Sequence, residues 1–259
     1  MNNLKYYLYL FLLLIFNWST SQKNNSCVKT MNPSKVVVAG GSITEILYFL
    51  NLEEKIVGID VTSNFPEETK EIQSIGYVRN LSSEGILSLE PTLVLGEDDM
   101  GPPTTINQIN ESGIDLRIIS ESQNIDGIIY KIMCVGSIMG KEYETENIIN
   151  TQILNQANEL KNIQKKNNLK DLNIMLVLSM QPSSIIVAGN NTSGNSFIKM
   201  LGAKNIFDSF EGWKSVSKES IIKKNPDYIL IPEKNLHKNS EVEKLSEDLM
   251  FKNTNAGKK

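Results

Sequence analysis

Apolar positions along this chain fall into two rhythms. Short apolar runs bounded by turn residues read as buried strands, and runs with apolar residues three and four apart read as helices. Val36 to Ala39 is the first strand, and Gly40, Gly41 and Ser42 turn it into a helix carrying Ile43, Ile46, Leu47 and Leu50 on one side. Ile56 to Ile59, Leu93 to Leu95 and Leu116 to Ile119 are further strands. From Asn124 to Lys166 the period is helical, with Gly127, Gly136 and Gly140 as the main breakers, and its polar part, Thr145 to Lys165, is long enough to bridge two lobes. A second series opens at Leu172 to Leu178 and Ile185 to Ala188, with a helix near Ser196 to Leu201 and a strand at Tyr228 to Ile231. Strands alternating with helices predict parallel sheets with crossover helices, an α/β fold. The expected layout is a leader at 1–21, an N-terminal α/β lobe at 28–140, a linking helix at 141–168 and a C-terminal α/β lobe at 169–259.

The two halves echo each other. LSSEGILSLEPTLVL (Leu81 to Leu95) and VSKESIIKKNPDYIL (Val216 to Leu230) align at a constant offset of 135 positions, pairing Ser82 with Ser217, Glu84 with Glu219, Ile86 with Ile221 and Pro91 with Pro226. Each copy reads as a serine N-cap, an acid in the first turn, apolar positions against a sheet and a proline that stops the helix before a strand. The bland reading is common helix grammar; two similar lobes are the reading preferred here.

Composition narrows the class. With 259 residues and 40% hydrophobic content, the chain can build one large domain or two small lobes. A net charge of -4, with lysines scattered, argues against nucleic acid as a partner, because a phosphate face needs clustered basic charge. Lys5 followed by the apolar run Tyr6 to Phe16 fits a signal peptide and is too short to span a bilayer, with cleavage expected between Ser21 and Gln22. Cys27 offers a lipidated cysteine as another reading, although Asn24, Asn25 and Ser26 match a lipobox poorly. Cys134, inside an apolar stripe, reads as buried filler; a disulfide with Cys27 is allowed by an exported compartment, but nothing in the sequence fixes its geometry.

Candidate chemistry is sparse. There is no zinc spacing, no Gly-x-Ser-x-Gly elbow and only one histidine, His237, so the chain is not expected to be an enzyme. Gly40 to Ser42 could bind an anion through free N–H groups, though a tight strand-to-helix turn explains it as well. Glu97, Asp98 and Asp99 could hold a cation or form a solvated loop. The informative stretch is GYVRNLSSEG, Gly76 to Gly85. In an extended backbone Tyr77 and Arg79 share a face, and a guanidinium beside a phenol favours the phenolate that ligates ferric haem iron. The bland reading is a packing tyrosine in a loop.

Three segments, Gly40 to Pro66, Gly76 to Pro103 and Phe210 to Leu230, resemble the haem-transport substrate-binding proteins of bacterial ABC importers and, more distantly, cobalamin and siderophore binders of the same superfamily. The resemblance runs from about Lys35 to the C-terminus. It implies two Rossmann-like lobes joined by a long rigid helix, as in class III periplasmic binding proteins, and an exported, periplasmic protein that delivers haem to an inner-membrane permease. It also implies haem iron held by Tyr77, support from Arg79, and permease docking through Glu84 and Glu219. Cleft walls are expected from the loops at Gly40, Gly41 and Ser42 and at Asp99, Met100 and Gly101. His237 is a possible second iron ligand, with a solvated loop residue as the alternative. Where some relatives carry a second-lobe histidine, this chain has Met180. Relatives also continue past the position of Lys259 through another strand and helix, so the C-terminal lobe is expected to be incomplete.

Overall fold

The computed structural model describes residues 27–181, 184–232 and 248–258. The expected leader at 1–21 and His237 lie outside these residues. The first sheet has four strands, β1 (Val36–Ala39), β2 (Ile56–Ile59), β5 (Leu93–Glu97) and β6 (Asp115–Ile119), in the order β2-β1-β5-β6. Every pairing in it is parallel, as expected. Between β2 and β5 the chain inserts a small antiparallel hairpin, β3 (Gly76–Tyr77) and β4 (Asn80–Leu81).

Alternation along β1 sends its side chains to two cores. Val36 and Val38 pack with Leu93 and Leu95 against helix α1 (Gly41–Phe49) and helix α4 (Ile125–Ile138), through Ile43, Leu47, Ile132 and Val135. Val37 and Ala39 face the other side, with Val94, against helix α2 (Ser83–Leu87) and helix α3 (Pro103–Glu111), through Ile86 and Ile109. Both faces are covered, which explains the unbroken apolar run VVVA.

A helical stretch links the sheets: α5 (Glu142–Ile148), a π-helical segment at Ile149–Ile153, and α6 (Leu154–Asn167). The helical period expected from Asn124 to Lys166 is interrupted here by a π segment that periodicity does not reveal. The second sheet contains β7 (Asn173–Gln181), β8 (Ser184–Ala188), β10 (Trp213–Val216) and β11 (Tyr228–Leu230), in the order β10-β8-β7-β11, and β9 (Lys204–Asn205) also pairs with β7. Here the expected parallel arrangement is corrected: β7 with β8 and β8 with β10 are antiparallel, while β9 and β11 run parallel to β7. The reason is connection length. β7 continues to Gln181 and β8 starts at Ser184, and so short a link permits only a hairpin, since a parallel crossover needs a dozen residues or more.

The internal echo survives in three dimensions. Ser82 accepts a hydrogen bond from Gly85 N–H at 3.3 Å and caps α2; Ser217 accepts from Ser220 N–H at 3.2 Å and caps helix α8 (Lys218–Lys224). Ile86 and Ile221 are fully buried. Glu90 and Asn225, again at matching positions, take left-handed φ values of 49° and 47° just before Pro91 and Pro226, and β5 and β11 follow.

The N-terminal strap is tied to the first unit. Cys134 is buried, as expected, but it is bonded to Cys27 in a disulfide and so is more than filler. The bond also removes the lipid-anchor reading from this state of Cys27, because a sulfur bonded to Cys134 is not free to form a thioether. Thr30 N–H donates to the Ile138 carbonyl at 2.9 Å, and its hydroxyl donates to Asp115 at 2.8 Å.

Candidate functional site

Strand order reverses between β1 and β5, and in open parallel sheets ligands bind at the carboxyl ends of strands at such a switch point. The loop after β1 and the end of β5 meet there. Gly40 takes a φ of 153°, which L side chains rarely adopt, and a Cβ there would lie 2.7 Å from the Glu97 side chain and displace it. The turn is also pinned from β2. Buried Asp60 accepts Gly40 N–H at 2.9 Å and the Ser63 hydroxyl at 2.8 Å with Oδ1, and Thr62 N–H at 2.8 Å and the Thr62 hydroxyl with Oδ2. The structural reading of Gly40 and Gly41 as a tight turn is therefore the observed one.

Ser42 donates a short hydrogen bond to Glu97, and Lys131 of α4 completes a cluster. Its Nζ lies 2.9 Å from Ser42 Oγ, 3.1 Å from Glu97 Oε1 and 3.1 Å from Glu121 Oε1. The Lys131 side chain is only 6% exposed, so these partners carry the cost of removing an ammonium from water. Nearby Glu45 has its carboxyl pushed above the ordinary value, first by burial and then by the negative charge of Glu97.

This cluster lies beside a cleft of about 880 Å³ between the two sheets. From the first unit come Ser42, Glu45, Tyr48, Phe49, Phe65 and Lys131; from the second come Leu176, Leu178 and Trp213, with Phe197 and Met200 of helix α7 (Ser193–Met200). On β7 the alternation is direct: Met175 and Val177 join the core of the second sheet, and Leu176 and Leu178 turn to the cleft. A mostly apolar cavity of this size with a few convergent polar groups is the usual form of a small-molecule site.

The Tyr77 segment stands at the same strand ends. It is a hairpin with a tight turn at Val78 and Arg79, which corrects the expected extended run; the turn, and not side-chain alternation, brings the pair together. Gly101 N–H donates to the Val78 carbonyl at 2.9 Å and Leu81 N–H to the Gly101 carbonyl at 2.8 Å, lacing the hairpin to the loop after β5. Arg79 Nη1 donates to the Tyr77 hydroxyl at 3.5 Å, while its Nε and Nη2 grip Asp99 at 3.0 and 2.9 Å. Tyr77 is 46% exposed, so its phenol is open to a ligand. Neither Tyr77 nor Arg79 lines the apolar cleft itself.

Other expected positions sort as follows. Ser42 lines the cleft, Asp99 orients Arg79, and Met100 is buried in the core beneath the loop, so its side chain is structural. Glu84 and Glu219 are both exposed on the first turns of α2 and α8. Asp98 accepts from Ser120 and from Glu121 N–H, and among the described residues no group of acids, His and Cys could hold a metal ion. Asp60, Glu121, Phe65, Phe197 and Trp213 were not anticipated. Lys131 carried a signal, as a lysine inside the apolar stripe Ile128, Ile132, Val135.

A profile described as periplasmic binding protein matches residues 36–259. An uncharacterized ABC transporter substrate-binding lipoprotein, YvrC of Bacillus subtilis, is 29% identical over 76% of this chain and 63% of its own length, so the chain spans under two thirds of that relative. A vitamin B12-binding protein of Pectobacterium carotovorum is 22% identical over 77% of this chain and 71% of its own. Among solved structures, the periplasmic heme-binding protein RhuT from Roseiflexus sp. RS-1 superposes with a TM-score of 0.75 and 31% identity, covering 87% of this chain and 86% of that one. The periplasmic heme-binding protein HutB of Vibrio cholerae gives 0.73 and 30%, covering 88% and 87%.

Proposed function

We propose that this chain, which belongs to the periplasmic binding protein family, captures haem in the cleft between its sheets and delivers it to the permease of an ABC importer. The family consists of transport substrate-binding proteins and not of enzymes. The observation that carries the haem reading is the exposed phenol of Tyr77, hydrogen-bonded by Arg79, at the same strand ends as an apolar cleft of about 880 Å³. An apolar slot suits a flat, largely apolar macrocycle, and a tyrosine oxygen is one of the side-chain ligands that hold haem iron. Similarity to two periplasmic haem-binding structures supports it.

In this reading the two units are lobes joined by the α5–α6 stretch, and Tyr77 is the iron ligand with Arg79 as its partner. Glu84 and Glu219, one per lobe at matching positions, dock onto the permease. Export to the periplasm follows from the same reading. Titration of the purified protein with hemin is the test: tyrosinate ligation gives a high-spin ferric charge-transfer band that Tyr77→Phe abolishes. The relatives that bind vitamin B12 make cobalamin the second reading, and tight cobalamin binding with no hemin spectrum would select it.

A further inference from the structure

The cleft is uneven in charge. Glu45, Glu121 and Lys131 are the charged residues among those lining it, all on the wall built by the first sheet and its helices. The ammonium of Lys131 is fully committed, to Glu121, to Ser42 and to Glu97 behind it. Three carboxylates, Glu45, Glu97 and Glu121, against one ammonium leave that wall with an excess of two negative charges. The facing wall, through Leu176, Leu178, Phe197, Met200 and Trp213, contributes no charge among the described residues to offset it. Burial first, and then the charge of Glu97, pushes the Glu45 carboxyl above its ordinary value.

We infer that this wall is a charge filter that keeps anionic groups of the cargo out of the inner cleft. The inference rests on the cleft being the cargo site, as proposed above. An anion pushed against Glu45 and Glu121 meets like charge in a partly dry space, where repulsion is much stronger than in water, and among the described lining residues the one cation, Lys131, is already committed. A neutral apolar edge meets no such barrier. An apolar plate with carboxylates along one edge therefore enters apolar edge first, and its carboxylates stay at the solvent side. Glu45 and Glu121 are specificity determinants for orientation, and Lys131 keeps the buried carboxylate of Glu97 from adding a third unpaired charge.

Two fluorescent probes test this on the full chain: anilinonaphthalene sulfonate, which is anionic, and phenylnaphthylamine, its neutral counterpart. The wild type should prefer the neutral dye. Glu45→Gln with Glu121→Gln should narrow the ratio of the two dissociation constants by about tenfold, with melting curves confirming the fold. Added salt should strengthen anionic-dye binding to the wild type and leave the double variant unchanged, because screening has nothing left to relieve. Glu45→Gln alone leaves the Lys131 contacts in place and should shift the ratio in the same direction by less. A ratio that is the same in wild type and variants overturns the filter. Displacement of the neutral dye by hemin is read separately and bears only on the haem reading.

Discussion

Tyr77 does not stand alone, because Asp99 holds Arg79 through two guanidinium nitrogens and Arg79 in turn reaches the phenol. Partners that orient a metal ligand are typically worth ten- to a hundredfold in affinity. Arg79→Leu is therefore expected to weaken ferric haem binding by roughly that factor, and Asp99→Asn by less, since the guanidinium remains but loses its anchor. Tyr77→Phe should cost more than either, because it removes the oxygen proposed to ligate the iron. Hemin titrations rank the three; equal affinities across them would remove Tyr77 from the iron. Tyr77 and Arg79 were legible in the sequence because they are two residues apart. Asp99, the anchor of Arg79, was visible as a cleft-loop acid but not as a partner of the guanidinium. Lys131 stood out as a lysine in an apolar stripe, but its partners could not be read, because Ser42, Glu97 and Glu121 lie at or just past the ends of β1, β5 and β6 and only the folded sheet assembles them.

Short elements depend on their ends, and α2 and α8 are short helices whose serine caps each satisfy a first-turn N–H that water would otherwise have to serve. Ser82→Ala and Ser217→Ala should each lower stability by about 1 kcal/mol in urea unfolding, and by similar amounts, because the two caps occupy equivalent positions. A loss at one site only would mean that the echo between the halves is resemblance in sequence without equivalence in energy. This echo was legible because cap, acid, apolar pair and proline are local signals. The β7–β8 hairpin was not, because an apolar run shows that a strand exists and not how far it continues, and here the few residues by which β7 outruns Leu178 decide between hairpin and crossover. The edge strand β10 and the π segment also escaped, since WKSV is half polar and a π turn leaves the helical period nearly intact.

Across the whole molecule, the strap that precedes β1 is fastened at two points, by the Cys27–Cys134 disulfide and by Thr30 on Asp115. Burial pushes the Asp115 carboxyl up, but hydrogen bonds from Arg117 and Thr30 and the Arg117 charge outweigh it and hold the carboxyl below its ordinary 3.8. A carboxylate lowered in the folded state contributes stability that is present above its unfolded value and lost as pH falls through its folded value. Asp115→Asn should therefore lower the melting temperature at neutral pH and flatten the acid limb of its pH profile below about pH 4. The disulfide closes a loop with a sequence separation of 107, so removing it with Cys27→Ala and Cys134→Ala should cost about 2–5 kcal/mol, chiefly by freeing the unfolded chain. Because both ties hold one strap, their losses should not add. Once the bridge is gone the strap can fray from β6, and Asp115 then keeps Arg117 but loses Thr30, so Asp115→Asn should cost somewhat less in the bridge-free background than in the bridged one. Thermal melts of the four combinations measure this directly, and strictly additive shifts would mean that the two ties act on independent parts of the molecule.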